Sequence, residues 1–245
     1  MSMERSSRGD SIGPMRIAVV SDIHGNLPAL EAVVRDLKRQ SPDEVWCAGD
    51  LGWVGPWAAE CIAWVRAEKW TTIKGNADVW ITGDPQTAPD DAERHRLRAV
   101  AAAHNLSSED IAWLLELPFS HSGAGSVLMV HATPESAFDA PLPDAAGGEF
   151  APYEGRASLV LYGHVHRAFV RRLKEGTLVC NPGSVGLPMD ADTASYLLID
   201  LDVPEIILRH QRVAFDRRAC IDKARSVGGI LEEHFLASLG ENGHD

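Results

Sequence analysis

Short apolar runs alternate with stretches of helical periodicity through the first third of the chain. The runs at residues 16–21, 44–48 and 70–74 are rich in Ile, Val, Trp and Thr, which is typical of buried β-strands. This alternation predicts a β-α-β-α-β unit with a parallel sheet and right-handed crossovers. The apolar residues between the runs follow the spacing of a helix face: Leu27, Leu30, Val33, Val34 and Leu37, then Cys61, Ile62, Trp64 and Val65.

The pattern changes from helices to strands after residue 118. Residues 77–118 are predicted to be helical, with an interruption at 83–89 and a capping box at Ser107 and Asp110. A turn at Glu175 and Gly176 between two apolar runs predicts a hairpin, so this half is expected to be antiparallel or mixed. The other predicted segments are strands at 126–130, 158–162, 168–173, 177–180, 195–199 and 205–208, a long loop at 134–155, a terminal helix from Asp216 and a frayed end at 240–245.

Asp, Asn and His residues come directly after the predicted strands, most of them beside a glycine. The carboxyl ends of parallel strands meet at one edge of a sheet, so we expect these side chains to lie close together. Their side chains are common metal ligands. The candidates are Asp22, His24, Asp50, Asn76, His131, His164 and His166.

Each candidate taken alone also has a structural interpretation. An Asp after a strand is most often a helix cap, and Asn76 after Gly75 is most often a turn residue. A single His-x-His is often a chance feature of a surface or a core. The recurrence of such residues at several strand ends of one chain favours a metal site.

The mixture of imidazole, carboxylate and amide oxygen suits a borderline divalent ion such as Mn²⁺, Fe²⁺, Zn²⁺ or Ni²⁺. The set exceeds the needs of one ion, so we expect two ions about 3.5–4 Å apart that share a carboxylate. Asp50, central among the motifs, is the predicted bridge. A pair of ions in this arrangement suits in-line displacement at phosphorus.

Composition limits the classes of function. A chain of 245 residues, 45% of them hydrophobic, can bury a core as one domain, predicted at 15–240 after a disordered tail at 1–14. The net charge of −12 argues against general binding of nucleic acid or of anionic membranes. No apolar stretch is long enough to predict a membrane-spanning helix. The four cysteines show no CxxC spacing and are expected to be reduced thiols of a cytoplasmic protein.

The blocks Asp-x-His, Gly-Asp, Gly-Asn, His and Gly-His-x-His, in this order, resemble the calcineurin-like metallophosphoesterase superfamily over residues 15–200. The segments 181–186 and 194–196 further resemble a bacterial branch of small phosphoesterases. The resemblance implies an α/β fold, a four-layer αββα sandwich of two mixed β-sheets flanked by helices. It also implies one ion held by Asp22, His24, Asp50 and His166, and a second held by Asp50, Asn76, His131 and His164.

The chain departs from the family pattern directly after Asn76. Many relatives have a histidine, thought to protonate the leaving oxygen, at the position that Ala77 occupies here. A positioned acid contributes typically about 10²–10⁴-fold, whereas activation of water by metal remains without it. We therefore hypothesise a hydroxide that bridges the two ions as the nucleophile, and a preference for leaving groups that depart unprotonated, such as aryl or nucleotide phosphates. Asp78, His95 and His104 are alternative acids, although local pairing of Asp78 and exposure of both histidines are the simpler interpretations.

Residues that flank the metal motifs are candidates for substrate contact. Asn26 and Arg167 could touch a substrate phosphate, although a loop-stabilising Asn and a solvated Arg fit the sequence equally well. Trp53 and Trp57 could stack on a base or an aryl group, but packing beneath their loop is the favoured interpretation. The loop 134–155 is expected to shape specificity, because long loops in compact domains are usually functional lids or disordered segments.

The predicted function is hydrolysis of small-molecule phosphate esters, either phosphomonoesters or phosphodiesters, with nucleotides among them. A protein phosphatase or a dinucleoside polyphosphate hydrolase is the alternative among enzymes, and the acidic composition does not separate these activities. The alternative from another class is a non-catalytic scaffold that keeps the fold for protein contacts. Scaffolds of this family tend to have lost metal ligands, whereas the expected set is complete in this sequence.

Overall fold

The computed structural model describes residues 15–83, 88, 90–123, 125–202 and 205–240. The tail predicted at 1–14, most of the helix interruption predicted at 83–89 and the end of the chain at 241–245 therefore lie outside the described residues. None of the described helices combines the length and the apolar character that a membrane crossing requires.

The first part of the chain forms the alternating unit that its apolar pattern predicts. Its elements are β1 (Met15–Val20), α1 (Leu27–Gln40), β2 (Glu44–Cys47), α2 (Ala58–Ala67) and β3 (Thr71–Thr72). Strands β1 and β2 pair in parallel, as do β2 and β3, which confirms the predicted parallel arrangement. Strand β3 is shorter than the predicted 70–74, because Lys74 donates its backbone N–H to the carbonyl of Pro118, outside the sheet, at 2.7 Å.

The segment predicted to be helical at 77–118 contains α3 (Asn76–Ile81), α4 (Asp91–Ala103) and α5 (Ser108–Glu116). Helix α5 begins at the predicted capping box. Ser107 Oγ accepts the backbone N–H of Asp110 at 3.1 Å, and the Ser107 hydroxyl donates to the Asp110 carboxylate at 2.6 Å. In the usual capping box a Glu side chain accepts the backbone N–H of the cap residue, whereas here the Asp110 carboxylate accepts the hydroxyl of the cap residue.

The second sheet follows α5 in the chain. Its strands are β4 (Ser120–Gly123), β5 (Val127–Val130), β6 (Leu159–Tyr162), β7 (Phe169–Arg172) and β8 (Leu178–Asn181), in the order β4-β5-β6-β8-β7. Strands β7 and β8 form the predicted hairpin, whereas β5, β6 and β8 pair in parallel. The sequence did not predict β4, whose residues Ser-His-Ser-Gly carry no apolar alternation. This edge strand depends on its pairing with β5 and on the contact of His121 with the Trp46 ring, at 4.7 Å between centroids.

The last strands, β9 (Ala194–Asp202) and β10 (Glu205–Val213), return to the first sheet and give the order β10-β9-β1-β2-β3. Both pair antiparallel, so this sheet is mixed. The terminal helix predicted from Asp216 begins at that cap but is divided into α6 (Arg217–Val227) and α7 (Gly229–Ser238). Gly228 separates them with a φ of 69°, a left-handed conformation that glycine adopts without steric cost.

Alternate residues of β1 face opposite layers, as the two-residue period of a strand dictates. Ala18 and Val20 pack with the helices, whereas Ile17 and Val19 pack between the two sheets. Every α-helix of the described residues contributes side chains to the core on the helical side of the first sheet. The arrangement confirms the expected α/β sandwich of two mixed sheets.

The outer face of the second sheet is covered by the segment 134–155, which was expected to be a long loop and is partly helical. A 3-10 helix occupies Gly147–Tyr153. Its Phe150 and Tyr153 pack on β6, where Tyr153 stacks on Tyr162 with ring centroids 5.1 Å apart. Contact with the sheet, rather than local periodicity, specifies this helix, so the sequence pattern could not show it.

Candidate metal centre

The predicted ligands lie together at the carboxyl ends of strands from both sheets. All are buried except His164, which is partly exposed. The first sheet supplies four of them and the second supplies three, so the centre spans the edge where the sheets meet. Those of the first sheet are Asp22, His24, Asp50 and Asn76, and those of the second are His131, His164 and His166.

Backbone hydrogen bonds between neighbouring loops hold these residues together. Asp22 donates its N–H to the carbonyl of Gly49, and His24 donates to that of Asp50, both at 3.0 Å. In the second sheet, Gly163 donates to the carbonyl of His131 at 2.9 Å. The motif of Asp22 and His24 is therefore fixed to that of Asp50, and the Gly-His-x-His motif is fixed to His131, each on the adjacent parallel strand.

We call Asp22, His24 and His166 the first half-site. The Nε2 atoms of the two histidines lie 3.0 Å apart, and His166 Nε2 lies 3.2 Å from Asp22 Oδ1. His24 Nδ1 is 3.1 Å from the carbonyl of Trp53, and His166 Nδ1 is 2.8 Å from that of Leu187. Because a carbonyl can only accept, each Nδ1 donates its proton there, which leaves each Nε2 unprotonated and available as a donor to a metal.

We call Asn76, His131 and His164 the second half-site. Asn76 Oδ1 lies 2.9 Å from both His131 Nε2 and His164 Nδ1. His131 Nδ1 donates to the carbonyl of Ala48 at 2.7 Å, which again directs Nε2 towards the site. An amide oxygen and two imidazole nitrogens therefore converge in this half.

Asp50 lies between the two half-sites. Its Oδ2 is 3.6 Å from His24 Nε2 and 3.3 Å from His131 Nε2. Its Oδ1 accepts the backbone N–H of Ala77 at 2.9 Å, which fixes the carboxylate. The ligand atoms of Asp22, His24, Asp50 and His166 lie within 4.8 Å of one another, close enough to hold one ion.

Asp78 supports this arrangement from beneath. It is fully buried and accepts backbone N–H groups from Asp50 and Gly75 at 2.8 and 2.9 Å, and from Leu51 at 2.9 Å. Burial and the neighbouring Asp50 carboxylate raise the pKa of Asp78 to about 7. Its oxygens are thus committed to the turns that carry Asp50 and Asn76, which agrees with local pairing and not with a free acid.

The other two alternative acids lie on or at the end of α4. His95 is exposed on this helix. His104 ends the helix against Trp53, with ring centroids 6.1 Å apart, and burial lowers its pKa to about 4. The structure therefore places His95 in solvent and His104 in the helical layer.

Opposite charges dominate the electrostatics of the centre. Burial opposes the protonation of His131, but the Asp50 carboxylate outweighs it and raises the pKa of His131 to about 10. Burial and His166 lower the pKa of His24 to about 4. Burial also opposes the ionisation of Asp50, yet the histidines around it, His131 foremost, hold its pKa below the usual value. Binding of a divalent cation to such a cluster is coupled to the release of protons.

The backbone of the ligand loops is unusual. Of the predicted ligands, all of which the structure describes, five have a positive φ: Asp22 (56°), His24 (49°), Asp50 (59°), His164 (64°) and His166 (56°). A left-handed conformation costs a residue other than glycine roughly 1–2 kcal/mol, and such residues cluster at functional sites. The sharp turns aim the side chains inward.

Two glycines allow the loops to approach each other. A Cβ on Gly75 would lie 2.1 Å from Asp50 Oδ1, and a Cβ on Gly163 would lie 2.0 Å from Ser21 Oγ. Both distances are far below van der Waals contact. The missing side chains therefore permit the positions of Asn76 and His164.

The residues expected to touch substrate have different surroundings. Asn26 is fully buried; its Oδ1 accepts the N–H of Ala29 at 3.2 Å as the cap of α1, and its Nδ2 donates to the carbonyl of Gly186 at 2.8 Å. Both polar atoms serve the backbone, in agreement with the loop-stabilising interpretation. Arg167 is exposed beside His166, so substrate contact remains a prediction for this residue.

The two tryptophans pack against helices. Trp53 is buried, with its ring centroid 5.7 Å from that of Trp80. Trp57 is half-buried, and Lys223 Nζ lies 6.0 Å from its ring centroid. Their positions agree with packing beneath the loop, the interpretation that the sequence favoured.

The segment 181–186 braces the metal loops, a role that sequence reasoning missed. Ser184 Oγ donates to the carbonyl of Asp22 at 2.8 Å, and the N–H of Gly186 donates to the same oxygen at 3.0 Å. Asn181 Nδ2 donates to the carbonyl of Gly163 at 2.5 Å. The available signal was the Asn-Pro-Gly-Ser-Val-Gly motif, which had served only for the resemblance to a bacterial branch of small phosphoesterases.

The donor set fits a divalent metal. Carboxylate, amide and imidazole donors converge, and backbone carbonyls fix the protons of three imidazoles on the nitrogens that point away from the centre. Hard and borderline donors of this kind suit divalent first-row ions. A buried cluster of such composition indicates divalent-metal binding.

Comparison with known proteins gives a consistent picture. Residues 15–203 match the model of the calcineurin-like phosphoesterase superfamily domain. An uncharacterised protein of Methanocaldococcus jannaschii is 28% identical over 246 residues, which cover 92% of this chain and 96% of that protein. The crystal structure of a metallophosphoesterase from Sphaerobacter thermophilus is similar, with a TM-score of 0.74 and 25% identity over 94% of this chain and 100% of that chain. A hypothetical protein from Pyrococcus horikoshii OT3 has a similar fold, with a TM-score of 0.76 and 22% identity over 94% of this chain and 99% of that chain.

Proposed function

This chain belongs to the calcineurin-like phosphoesterase superfamily, and we propose that it is a metal-dependent hydrolase of phosphomonoesters or phosphodiesters, nucleotides included. The position of Asp50 carries the proposal, because its Oδ2 lies 3.6 Å from a histidine nitrogen of one half-site and 3.3 Å from one of the other. A carboxylate shared between two sets of ligands is typical of two-metal centres that act on phosphate esters.

The residues present divide into two ligand sets that share Asp50. Their donors suit Mn²⁺, Fe²⁺, Zn²⁺ or Ni²⁺. When bound, the two ions would supply an activated water as the attacking group and would neutralise charge on the phosphoryl oxygens. One set is Asp22, His24, Asp50 and His166, and the other is Asp50, Asn76, His131 and His164.

The chain itself orients this chemistry. The carbonyls of Trp53 and Leu187 fix the two imidazoles of the first half-site, and Asp78 fixes the turn that carries Asp50. Burial of the ligands excludes water, which strengthens the interaction of fixed charges with the charge that develops on a reacting phosphate. Preorganised ligands need no rearrangement when the ester reacts.

Ala77 affects the choice of leaving group. It is 1% exposed and has no proton to donate at the position where many relatives have a histidine. Esters whose leaving group departs as a stable anion, such as aryl and nucleotide phosphates, should therefore be favoured. The test compares kcat/KM for aryl and alkyl esters with the same ratio in a relative that has the histidine. A ratio no larger than that of the relative would contradict this preference.

The central experiment loads the purified chain with Mn²⁺ and assays it against phosphomonoesters, phosphodiesters and nucleotides. Asp50→Asn should bind less metal and lose activity by about 10³-fold or more, because the shared carboxylate serves both ligand sets. Asp192→Asn is the matched control, since this carboxylate is 92% exposed. Full activity of Asp50→Asn, or no turnover of any ester by the metal-loaded wild type, would overturn the proposal.

The scaffold alternative makes a different prediction. A scaffold would retain the fold without turnover, whether or not it binds metal. The presence of the expected ligands around one shared carboxylate supports the enzyme. Metal content measured beside the turnover of an aryl phosphodiester separates the two functions.

We also propose that the enzyme acts in the cytoplasm on small phosphate esters. The four cysteines are free and buried, as expected of a protein in a reducing compartment. Cell fractionation tests this placement, and recovery of the protein outside the cytoplasmic fraction would contradict it.

A further inference from the structure

A cavity of about 390 Å³ adjoins the second half-site. His131 lines it together with the segment 133–138, which follows that histidine in the chain. Its volume falls within the range of about 300–1,000 Å³ typical of small-molecule sites. A molecule with its phosphate at the metal centre could therefore extend into this space.

The wall of the cavity is held by its own hydrogen bonds. The backbone N–H of Thr133 donates to the carbonyl of Ser136 at 2.8 Å, and the N–H of Ser136 donates to Thr133 Oγ1 at 3.0 Å. The N–H of Phe138 donates to Ser136 Oγ at 3.1 Å. A preformed wall reduces the entropy lost when a ligand binds.

Two aromatic rings border the cavity. Phe119 is 55% exposed although it is a large apolar side chain, and Lys74 Nζ lies 5.1 Å from its ring centroid. Phe138 is half-buried and contacts Trp80, with ring centroids 6.1 Å apart. Aromatic faces of this kind favour a planar ring as their partner.

The charge of the lining disfavours one class of substrate. Among the described residues that line the cavity, none is Lys or Arg, and the one with a carboxylate is Glu135, which pairs with Arg156. The cations beside the lining are already engaged, since Arg156 pairs with Glu135 and Lys74 Nζ donates to the carbonyl of Leu115 at 2.8 Å. An uncharged group of the substrate therefore fits this cavity better than a chain of further phosphates does.

We propose that this cavity binds the uncharged planar aromatic group of the substrate, so that Phe119 and Phe138 select esters of aryl alcohols or nucleosides whose charged phosphate lies at the metal centre. This inference rests on the proposed phosphoesterase function and names its substrate class. It argues against a dinucleoside polyphosphate, whose bridging phosphates would need cations along the path.

The kinetic test compares phenyl and ethyl esters of the phosphate class that the wild-type chain hydrolyses. Phe138→Leu and Phe119→Ala should lower kcat/KM for the phenyl ester by roughly three- to tenfold relative to the ethyl ester. Comparison of each variant with the wild type cancels the different intrinsic reactivity of the two esters. Phe215→Leu is the matched control, because Phe215 is half-buried against the helical core. An equal change for both esters would overturn the inference and leave the proposed function intact.

A binding test needs no turnover. Phenol and adenosine, titrated against the Asp50→Asn chain and followed by ligand-observed NMR, represent an aryl and a nucleoside source of the same ring chemistry, with ribose as the control without a ring. We expect saturable binding of at least one ring probe, weakened by Phe138→Leu and Phe119→Ala and absent for ribose. Failure of both probes to bind, or binding that survives both substitutions, overturns the inference. Retained ring binding in a wild type that hydrolyses no ester would support the cavity and refute the phosphoesterase proposal.

Discussion

The two half-sites share Asp50 but differ in how the chain holds them. In the first, Asp22, His24 and His166 all have a left-handed backbone, and loop carbonyls fix both imidazoles. In the second, His131 comes directly after β5 and Asn76 begins α3, so regular elements carry two of the three ligands. The first half-site depends on irregular loops, and the second depends largely on the sheet and a helix.

Their surroundings differ as well. The segment 181–186 covers the first half-site with hydrogen bonds to the carbonyl of Asp22, whereas the second borders the cavity at His131. The first half-site is therefore enclosed by protein, and the second faces the space available to a substrate. We therefore propose that, in the proposed enzyme, the first half-site chiefly retains metal and the second also receives the ester.

Removal of one ligand from each half-site is the strongest test of this division. His24→Ala and Asn76→Ala should each lower kcat/KM by about 10²–10³-fold, because the remaining ion cannot stabilise all the developing charge. Metal analysis of the purified variants should show loss of one ion from each. Loss of both ions from each variant would break the comparison, since the two halves would then form one cooperative site.

Asp78→Asn tests the support beneath the shared carboxylate. The two oxygens of the Asp78 carboxylate accept N–H groups, whereas an Asn side chain has one accepting oxygen and an NH₂ group that only donates. The turns at Asp50 and Gly75 should therefore loosen in this variant. We expect kcat/KM to fall by about 10–100-fold, as for other groups that orient metal ligands. Asp36→Asn is the control, because this buried carboxylate accepts from Tyr196 at 2.5 Å in the helical layer. Equal losses of activity in the two variants would contradict a specific role for Asp78.

Asn26→Ala tests, by its effect on the free energy of unfolding, how the loops of the first half-site are supported. It removes the cap of α1 and the hydrogen bond to Gly186, so the free energy of unfolding should fall by about 1–2 kcal/mol. Asp216→Ala removes the cap of α6, where Asp216 Oδ1 accepts the N–H of Ala219 at 2.9 Å, and should cost less because that cap is exposed. Denaturant unfolding measures both. A smaller loss of unfolding free energy for Asn26→Ala than for Asp216→Ala would show that the hydrogen bond from Asn26 does not stabilise the loop at Gly186.

The smallest expected effect depends on pH. Asp190 accepts from the backbone of Ala168 and from Arg212, close to the loop that carries His166. Burial opposes ionisation of Asp190, but these partners lower its pKa below the usual value. A lowered folded-state pKa stabilises the protein above the unfolded pKa of about 3.9, and this contribution is lost as the pH falls through the folded value.

Asp190→Asn should therefore reduce the free energy of unfolding by less than about 1 kcal/mol at neutral pH, since the ion pair is exposed. The difference from the wild type should disappear in acid. Urea unfolding of both proteins across this pH range measures it, with Asp192→Asn as the exposed control. A difference that grows in acid would have the wrong sign.

The sequence predicted those helices and strands in which the pattern of apolar residues follows from the burial of the element itself. Strand β6 is fully buried, β1 is largely buried and β2 is buried in its second half, and α1 presents an apolar stripe to the sheet, so local periodicity was sufficient. Strand β4 pairs with β5, the next strand of the chain, but its own residues lack apolar alternation, and its His121 contacts Trp46, which is distant in sequence. The 3-10 helix at Gly147–Tyr153 packs on Tyr162 of β6 without an apolar periodicity of its own. Tertiary contacts that a local pattern does not reveal therefore specify both elements.

The candidate site shows the same limit. Carboxyl ends of neighbouring strands must meet, so the motifs predicted which side chains converge. Asp78 and Asn26 have the same residue types as ligands, and only their burial and hydrogen bonds show that they serve the backbone. Phe119 and Phe138 stand in unrelated segments without periodicity, so the cavity they share became visible only in three dimensions.

The left-handed conformation of five ligands has a consequence for protein engineering. Glycine adopts this conformation freely, and at every one of these positions except the partly exposed His164 it would also remove a buried ionisable group. A search for thermostabilising substitutions in metal-free protein would therefore select against the residues to which we assign metal binding. Mutant libraries designed to increase the stability of this protein should keep five residues constant: Asp22, His24, Asp50, His164 and His166.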